Sequence, residues 1–406
     1  MFDDYLNSKE GLLHQYFSRN KNQFWFTINM EPKTKKAIKR SEIKSFRSQV
    51  VKHLRKEKRR RFRSKIILEI SFLVTTRNPP SIQNLVKNYL DLLHKPMPNV
   101  DNFEQILFKD DDQIQLLFAH FETAKEGNKS DKPEIRIKAY RYSSFIRDLD
   151  VARVFYRENY DYYEEQREDS LRGDPYNDLE EFEEYKDTYQ GELQMQIYDL
   201  QKNNIIRDIQ AQILKRSILS INNILLLFDS LYDKSFPFQD LGLDKNLIWM
   251  TTNHFEMGGG PILRNSKIEF KKTLHSKIKA IKNRLKILFP LLQPISVIVI
   301  YTPSAYNALD LDNLAKYILP KTIELLDPPY SYKEGFSRGD IHEKFIRNSN
   351  SENLNLTSPG LKSYQIIRLE RTSDTPEEGK IQFILNDGFE GYYTNIWRRI
   401  EQVILK

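Results

Sequence analysis

The pattern of apolar and polar positions alternates between short apolar runs and stretches with apolar residues spaced three and four apart. The runs, bounded by Pro, Asn, Asp or Gly, predict strands, and the wider spacing predicts helices. The first half is predicted to form a strand, a helix, a strand, a helix, two strands and a helix. In that order the predicted ranges are Phe24–Met30, Ser41–Arg61, Ile66–Thr75, Ile82–Leu93, Gln113–Glu122, Glu134–Tyr142 and Ser144–Phe155.

The second half repeats nearly the same order of elements. The predicted ranges are a strand at Leu247–Thr252, a helix at Ser266–Phe289, a strand at Ile295–Thr302, a helix at Leu314–Leu326, strands at Ser363–Arg371 and Lys380–Asn386, and a helix at Thr394–Lys406. Ile295 follows Ile66 by 229 positions (295 minus 66). A shared order and spacing indicate an internal repeat. We therefore predict an α+β fold of two small units, each with three to four strands and two to three helices.

The segment between the halves has a different pattern. It begins acidic and rich in tyrosine and then becomes amphipathic, with apolar residues at Leu193, Ile197, Leu200, Ile209, Ile213 and Leu225. We expect a helical spacer that packs on both halves. The alternative is an acidic cover that regulates access to a basic surface. The predicted domains are residues 1–155, a linker region at 156–240, and residues 241–406.

Composition bounds the class of protein. A chain of 406 residues with 39% hydrophobic and 29% charged residues fits a soluble protein of two or three domains. The absence of cysteine excludes disulfides, thiolate catalysis and zinc sites with cysteine ligands. No apolar run approaches the length needed to cross a bilayer, so we expect a cytoplasmic protein with no membrane partner.

The net charge of +7 is unevenly distributed. About half of the residues between Lys33 and Lys65 are Lys or Arg, and the predicted helix at Ser266–Phe289 is also basic. Either patch alone is typical of a solvated helix face, but two equivalent patches favour contacts with DNA phosphates and salt-sensitive binding. The candidate DNA-binding residues are Arg55, Lys56, Lys58, Arg59, Arg60, Arg61, Lys87, Lys271, Lys272 and Lys279.

A seven-residue motif that occurs twice carries the candidate chemistry. The segment Asp310-Leu311-Asp312-Asn313-Leu314-Ala315-Lys316 follows Ser81-Ile82-Gln83-Asn84-Leu85-Val86-Lys87 at the same distance of 229 positions (310 minus 81). Asn, Leu and Lys keep their places, whereas the two aspartates have Ser and Gln as counterparts. Neighbouring carboxylates repel each other unless a cation such as Mg²⁺ neutralises them. The later copy therefore predicts a metal site, and a turn that caps a helix is the alternative.

A second acidic run, Lys109-Asp110-Asp111-Asp112-Gln113-Ile114, precedes a predicted strand. Three successive aspartates are usually a solvated turn. Here the strand that follows would hold the run at the edge of a sheet, so Asp111 is a candidate catalytic or metal-binding residue.

These two motifs resemble those of the RusA family of Holliday junction resolvases. The resemblance covers both halves and implies small α+β subunits that act as homodimers and cut branched DNA with Mg²⁺. We therefore expect Mg²⁺ as the cofactor, with Mn²⁺ as the alternative cation. It implies catalytic roles for Asp310, Asp312, Lys316 and Asp111, with the three aspartates as metal ligands. In this chain the two RusA-like units would form a pseudo-dimer, joined by the acidic helical insertion.

The chain departs from the family pattern because neither half has the complete set of carboxylates. The first half has Ser81 and Gln83 in place of aspartates, and the second half has Ser363 where we align the third one. Three outcomes are open. Asp111 could join Asp310 and Asp312 in a composite site. Alternatively, the second half could recruit Asp327, Asp340 or Glu343, or the fold could bind DNA without catalysis.

The function predicted from the sequence is a Mg²⁺-dependent endonuclease that binds branched or structured DNA and has one asymmetric active site. The alternative is a catalytically inactive RusA-like protein that binds DNA as a scaffold. Recombination, repair and defence against foreign DNA all fit such a protein, and self-association beyond the single chain is open.

Overall fold

The protein is described from a computed structural model. The described residues are 4–5, 8–76, 80–103, 105–123, 132–148, 151, 177–216, 254–258, 264–284, 286, 289, 291–292, 295–306, 308–326, 361–371, 373, 375–386, 400–402 and 404.

The strands form one mixed sheet of eight in the order β1-β4-β2-β3-β7-β6-β8-β5. Their bounds are β1 Phe24–Ile28, β2 Ile66–Val74, β3 Ile114–Thr123, β4 Glu134–Arg141, β5 His254–Gly258, β6 Ile295–Thr302, β7 Leu361–Arg368 and β8 Lys380–Asn386. Helices accompany this sheet, so the predicted α+β class is confirmed at this level.

Seven helices of eight residues or more are described. They are α1 Lys9–Asn22, α2 Arg40–Lys56, α3 Ile82–His94, α4 Asn177–Glu184, α5 Glu192–Arg216, α6 Arg264–Arg284 and α7 Leu311–Leu326. A 3-10 turn at Asp111–Gln113 leads into β3, and a second one at Lys186–Thr188 separates α4 from α5. Residues 142–148, 151, 400–402 and 404 are also helical.

Most predicted elements agree with these bounds within a few residues, and β6 and β8 agree at both ends. The prediction of a strand at Leu247–Thr252 lies outside the described residues, and β5 begins at His254 instead. Helices α1 and α4 were not predicted. Helix α1 has a weakly segregated apolar face with only Gly11 and Leu12 buried, so its periodicity is faint.

The two four-strand halves of the sheet have the same internal order, β1-β4-β2-β3 in the first and β5-β8-β6-β7 in the second. They meet where β3 pairs with β7 in the antiparallel direction. Because the joining strands hold equivalent places and run in opposite directions, a local two-fold relation passes near the pair Phe118 and Gln365.

The strand registers define equivalent positions in the two halves. In the first, Ile66 pairs with Ile114, and a bulge shifts the register so that Ile67 pairs with Leu116. In the second, Ile295 pairs with Leu361, and the same shift pairs Ser296 with Ser363. Ser363 is therefore equivalent to Leu116, and its alignment with Asp111 was wrong because it ignored this pairing. Ser363 is buried, and its hydroxyl lies 2.5 Å from that of Ser296.

Helices α3 and α7 pack against each other over the join between the halves. Their inward faces are apolar at helical spacing, with Leu85 and Tyr89 on α3 and Leu314 and Ile318 on α7 completely buried. This contact brings the two copies of the repeated motif together. Within the part of the chain that is described, no helix combines the length and apolar character needed to cross a membrane.

Candidate metal centre

The structure brings together three aspartates that lie far apart in the sequence. Asp111 is in the 3-10 turn before β3, Asp310 immediately precedes α7, and Asp312 is in the first turn of that helix. One carboxylate oxygen from each lies within 4.8 Å of those from the other two. This is the composite arrangement considered from the sequence, built from both halves.

Strand topology explains why the site is shared. The antiparallel pairing of β3 with β7 places the start of β3 beside the end of β7, and the parallel pairing of β7 with β6 brings the end of β6 to the same edge. Asp310 follows the end of β6. In the first half β2 and β3 are parallel, so Ser81 and Gln83 follow β2 at the opposite edge from Asp111. Asp111 cannot complete the motif of its own half.

Asp312 is held by groups from both halves. Its side chain is 1% exposed, and the amino group of Lys87 on α3 lies 2.5 Å from Oδ2. The same amino group donates to Oδ1 of Asn313 at 2.9 Å, and the backbone N–H of Asn313 donates to Oδ1 of Asp312 at 2.6 Å. Lys316, the predicted partner on α7 itself, is exposed. The lysine beside the carboxylates therefore comes from the first half.

The asparagine of the motif makes the same bond in both copies. Asn313 donates through Nδ2 to Oδ2 of Asp310 at 3.0 Å, and Asn84 donates through Nδ2 to the hydroxyl of Ser81 at 2.8 Å. The local turn before each helix is thus retained, while the carboxylates are present only in the second copy.

Asp111 is buried with one oxygen unpaired. The residue is 8% exposed, and Oδ1 accepts no hydrogen bond. Nδ1 of His94 lies 3.1 Å from Oδ1, but this nitrogen is directed to the carbonyl oxygen of Leu90 at 2.9 Å, which can only accept. A buried carboxylate oxygen without a donor is costly in a protein interior, and a cation would remove that cost.

Burial and repulsion shift the acidity of this group. Desolvation, followed by the charges of Asp312 and Asp310, raises the pKa of Asp111 to about 7. The pKa of Asp310 is also raised, first by burial and then by a hydrogen bond and repulsion from Asp112. These shifts are those expected of carboxylates assembled for a cation, and oxygen donors of this kind suit Mg²⁺ or Mn²⁺.

Arg368 at the end of β7 ties the two segments of the site together. Its guanidinium donates to the carbonyl oxygen of Leu309 at 2.8 Å and to that of Asp112 at 3.3 Å. It thus joins the loop before Asp310 to the turn that carries Asp111. Sequence analysis missed this residue, because a single arginine at a strand end has no distinguishing pattern.

A second group of potential ligands surrounds the same carboxylate. One carboxylate oxygen each from Asp91 and Asp111 and one ring nitrogen of His94 all lie within 4.8 Å of one another. Burial lowers the pKa of His94, which favours the neutral ring that metals require. The sequence analysis overlooked the spacing of Asp91 and His94, three residues apart, which places both on one face of α3.

The predicted DNA-binding residues fall into three environments. Arg59 and Arg61 are half-buried and donate to the carbonyl oxygen of Asn22 at 3.2 Å and to Oε1 of Gln105 at 2.6 Å, respectively. Lys87 lies in the carboxylate site. The remaining predicted residues are exposed: Arg55, Lys56, Lys58, Arg60, Lys271, Lys272 and Lys279. The alternative ligands Asp327, Asp340 and Glu343 lie outside the described residues.

Comparisons with protein-family models, with curated proteins and with solved structures gave no match for this chain. The resemblance to RusA resolvases is therefore a prediction that rests on the motifs alone.

Proposed function

We propose that this protein is a metal-dependent endonuclease for branched or structured DNA, with one active site assembled from two RusA-like halves. The observation that carries the proposal is the convergence of Asp111, Asp310 and Asp312 within 4.8 Å. These are the three carboxylates that the family resemblance assigns to catalysis, and they meet although they belong to different halves.

The proposed internal duplication is supported by the topology. Both halves have the same strand order, and both parallel pairs contain a bulge at the same place, after Ile66 and after Ile295. Helices α3 and α7 begin 229 positions apart (311 minus 82). The central β3–β7 pairing corresponds to the contact that two separate subunits would make in a symmetric dimer.

Hydrolysis of a phosphodiester forms a bond from the oxygen of water to phosphorus and breaks one phosphorus–oxygen bond, with a proton passing to the leaving oxygen. A cation bound by Asp111, Asp310 and Asp312 would supply charge stabilisation for the phosphate and acidify the attacking water. Asn313 orients the carboxylate of Asp310, and Arg368 holds the two ligand-bearing segments in place. Lys87 offers a positive charge beside Asp312 for the scissile phosphate.

The site is proposed to be single, so cleavage should be asymmetric. A symmetric resolvase cuts two opposed strands, whereas this chain has Ser81 and Gln83 where a second pair of aspartates would be. We therefore expect one nick for each binding event. The exposed lysines and arginines of α2 and α6 would contact the phosphate backbone and give a strong dependence on salt.

The test is incubation of the purified chain with Mg²⁺ or Mn²⁺ and end-labelled Holliday junctions, flaps, forks and linear duplex. We expect nicks in branched DNA and their loss in Asp312→Asn. The matched control is Asp187→Asn, an exposed aspartate in the turn between α4 and α5. Branched DNA left intact by the parent protein, or equal cleavage by Asp312→Asn, would overturn the proposal.

The second candidate function is a DNA-binding scaffold that no longer cleaves. It is favoured by the ion pair between Lys87 and Asp312, in which the lysine already neutralises the carboxylate that would bind the cation. Salt-sensitive binding of junctions, with no cleavage at any Mg²⁺ or Mn²⁺ concentration, would support this candidate over the nuclease.

A further inference from the structure

We propose that Asp91, His94 and Asp111 form a second divalent-cation position beside the first, so that Asp111 is shared between two cations. The inference rests on the proposed function for the first cation, held by Asp111, Asp310 and Asp312. The second position is built entirely from the first half of the chain.

The geometry supports the shared role of Asp111. It belongs to both groups of mutually close ligand atoms, with Asp310 and Asp312 in one and with Asp91 and His94 in the other. Its Oδ1 is buried and accepts no hydrogen bond, so it has the capacity for a further ligand bond. This unpaired oxygen distinguishes the cluster from acidic groups whose oxygens are already satisfied.

His94 is held as metal-binding histidines are. Its Nδ1 donates to the backbone carbonyl oxygen of Leu90, and the ring stacks on Phe108 with centroids 5.5 Å apart. A ligating histidine usually donates its second ring nitrogen to such a carbonyl, which sets the tautomer and the ring orientation. Nδ1, which also lies 3.1 Å from Oδ1 of Asp111, then carries the proton, and Nε2 is the nitrogen of the neutral ring whose lone pair would bind the cation. One nitrogen among carboxylates suits Mn²⁺ better than Mg²⁺.

Asp91 is paired with two lysines that a cation can replace. The amino groups of Lys95 and Lys35 contact its carboxylate, and their side chains are 47% and 76% exposed. Both amino groups can therefore move into solvent with little loss, whereas the carboxylate, at 4% exposure, stays in place. The lysines act as replaceable counter-charges.

This position has no counterpart in the second half. Adding the common offset of 229 to Asp91 and His94 gives Pro320 and Ile323, neither of which can bind a metal. If Asp91 and His94 remained from an older symmetric site, both halves would be expected to contain ligands at these positions. We therefore assign the two residues to the composite site.

Two cations on a shared carboxylate match the requirement of phosphodiester hydrolysis. Such pairs, about 3.5–4 Å apart, stabilise the attacking and the leaving oxygens together. The second cation would thus give the single proposed active site both of the cations that this mechanism uses.

The test is the Mn²⁺ stoichiometry of the full chain, measured by equilibrium dialysis and electron paramagnetic resonance. We expect two ions per chain and a spin-coupled pair in the parent protein, and one ion without coupling in His94→Gln and in Asp91→Asn. The matched control is His120→Gln, which removes a half-buried histidine that lies 2.9 Å from Glu122 on β3. It should bind two ions.

A single Mn²⁺ in the parent, or two in both His94→Gln and Asp91→Asn, would overturn the second position. Circular dichroism and thermal unfolding of each variant establish that it is folded, and either variant is sufficient alone. One bound ion with DNA cleavage would leave the proposed nuclease intact and remove only the second position. Two coupled ions without cleavage would do the reverse.

Discussion

The two halves of this sheet have the same strand order but different side chains at the repeated motif. At four matched positions the first half has Ser81, Gln83, Asn84 and Lys87, and the second has Asp310, Asp312, Asn313 and Lys316. The second half supplies the paired carboxylates, whereas the first supplies the lysine that reaches them and the third carboxylate, Asp111. Two halves with the same strand order can therefore place their carboxylates together at one edge of the sheet.

The regions behind the two motifs differ as well. Arg47 on α2 is completely buried and donates to both carboxylate oxygens of Asp101 and to the carbonyl oxygens of Leu92, Lys95 and Phe103. It thereby fixes the end of α3, next to His94. The residue 229 positions after Arg47 is Ser276, which is exposed on α6. The first half thus anchors the helix end that carries the additional ligands.

The largest effect on cleavage is expected from removal of the carboxylate that the first half contributes to the site. Asp111→Asn should lower the cleavage rate at least about 100-fold, since loss of a ligand exceeds the usual cost of losing an outer partner. The measurement is the rate at which end-labelled junctions are converted to nicked product. If Asp111→Asn cleaves like the Asp187→Asn control, the second half is sufficient alone and the composite site is wrong.

The anchor can be tested by stability. Arg47→Ala should destabilise the protein by about 3–5 kcal/mol, because Asp101 would remain buried without its partner. Ser276→Ala, at an exposed position of α6, should alter the free energy of unfolding by less than about 0.5 kcal/mol and serves as the control. Urea denaturation measures both variants, and similar values for the two would show that Arg47 does not anchor the first half.

The folding stability of the protein should depend on pH in part through Asp111. Burial raises the pKa of Asp111 in the folded protein to about 7, well above the usual value for an aspartate, so the folded state retains a proton that the unfolded state has lost. Its contribution to stability therefore falls as pH rises from about 4 to about 7 and is constant above. Thermal unfolding with a chelator should show a smaller fall in Asp111→Asn than in the parent. The remaining fall comes from Asp148, whose pKa burial also raises to about 7, and from Asp310, whose pKa burial raises as well. Added Mn²⁺ should bind more tightly as pH rises through the same range.

A smaller effect, on Mn²⁺ affinity, is expected from Lys87 of the first half, which contacts Asp312 in the second half. Lys87→Met removes the charge that competes with a cation for Asp312, so Mn²⁺ affinity in the absence of DNA should rise about tenfold. Lys316→Met, at the matched but exposed position, should leave it unchanged. Isothermal titration calorimetry measures the Mn²⁺ affinity of both variants. An effect of Lys316→Met alone would show that the lysine of the site is Lys316 of the second half and not Lys87.

The smallest effect is expected from restoring the missing pair. Ser81→Asp combined with Gln83→Asp should add no Mn²⁺ ion. The offset of 247 between Leu116 and Ser363 (363 minus 116) assigns Ser358, which is not a carboxylate, to Asp111 in the alignment of the two halves (111 plus 247). Equilibrium dialysis against the parent protein is the measurement. An additional bound ion would show that two carboxylates are enough and that the lost site is recoverable.

The predicted elements agree best where local pattern dominates. Strand β6 contains an uninterrupted apolar run from Val297 to Ile300, and the motif helix α7 begins within three residues of the predicted start, so both could be predicted from local pattern. Helix α1, which has a weak apolar face, and strand β5 at His254–Gly258 were not predicted, and the strand predicted at Leu247–Thr252 lies outside the described residues. The alignment of Ser363 with Asp111 was wrong because it matched a short Gln-Ile pattern in the sequence, whereas the strand pairings, known only from the structure, make Ser363 equivalent to Leu116.

The sequence alone predicted the α+β class, contained the repeated motif and identified three metal-binding candidates, because periodicity and local motifs are properties of neighbouring residues. Only the tertiary structure decided that Asp111 meets Asp310 and Asp312, and that Lys87, His94 and Arg368 surround them. The reason is topological. Antiparallel pairing of β3 with β7 brings together the edges of two different halves, and no local pattern specifies which edges will meet.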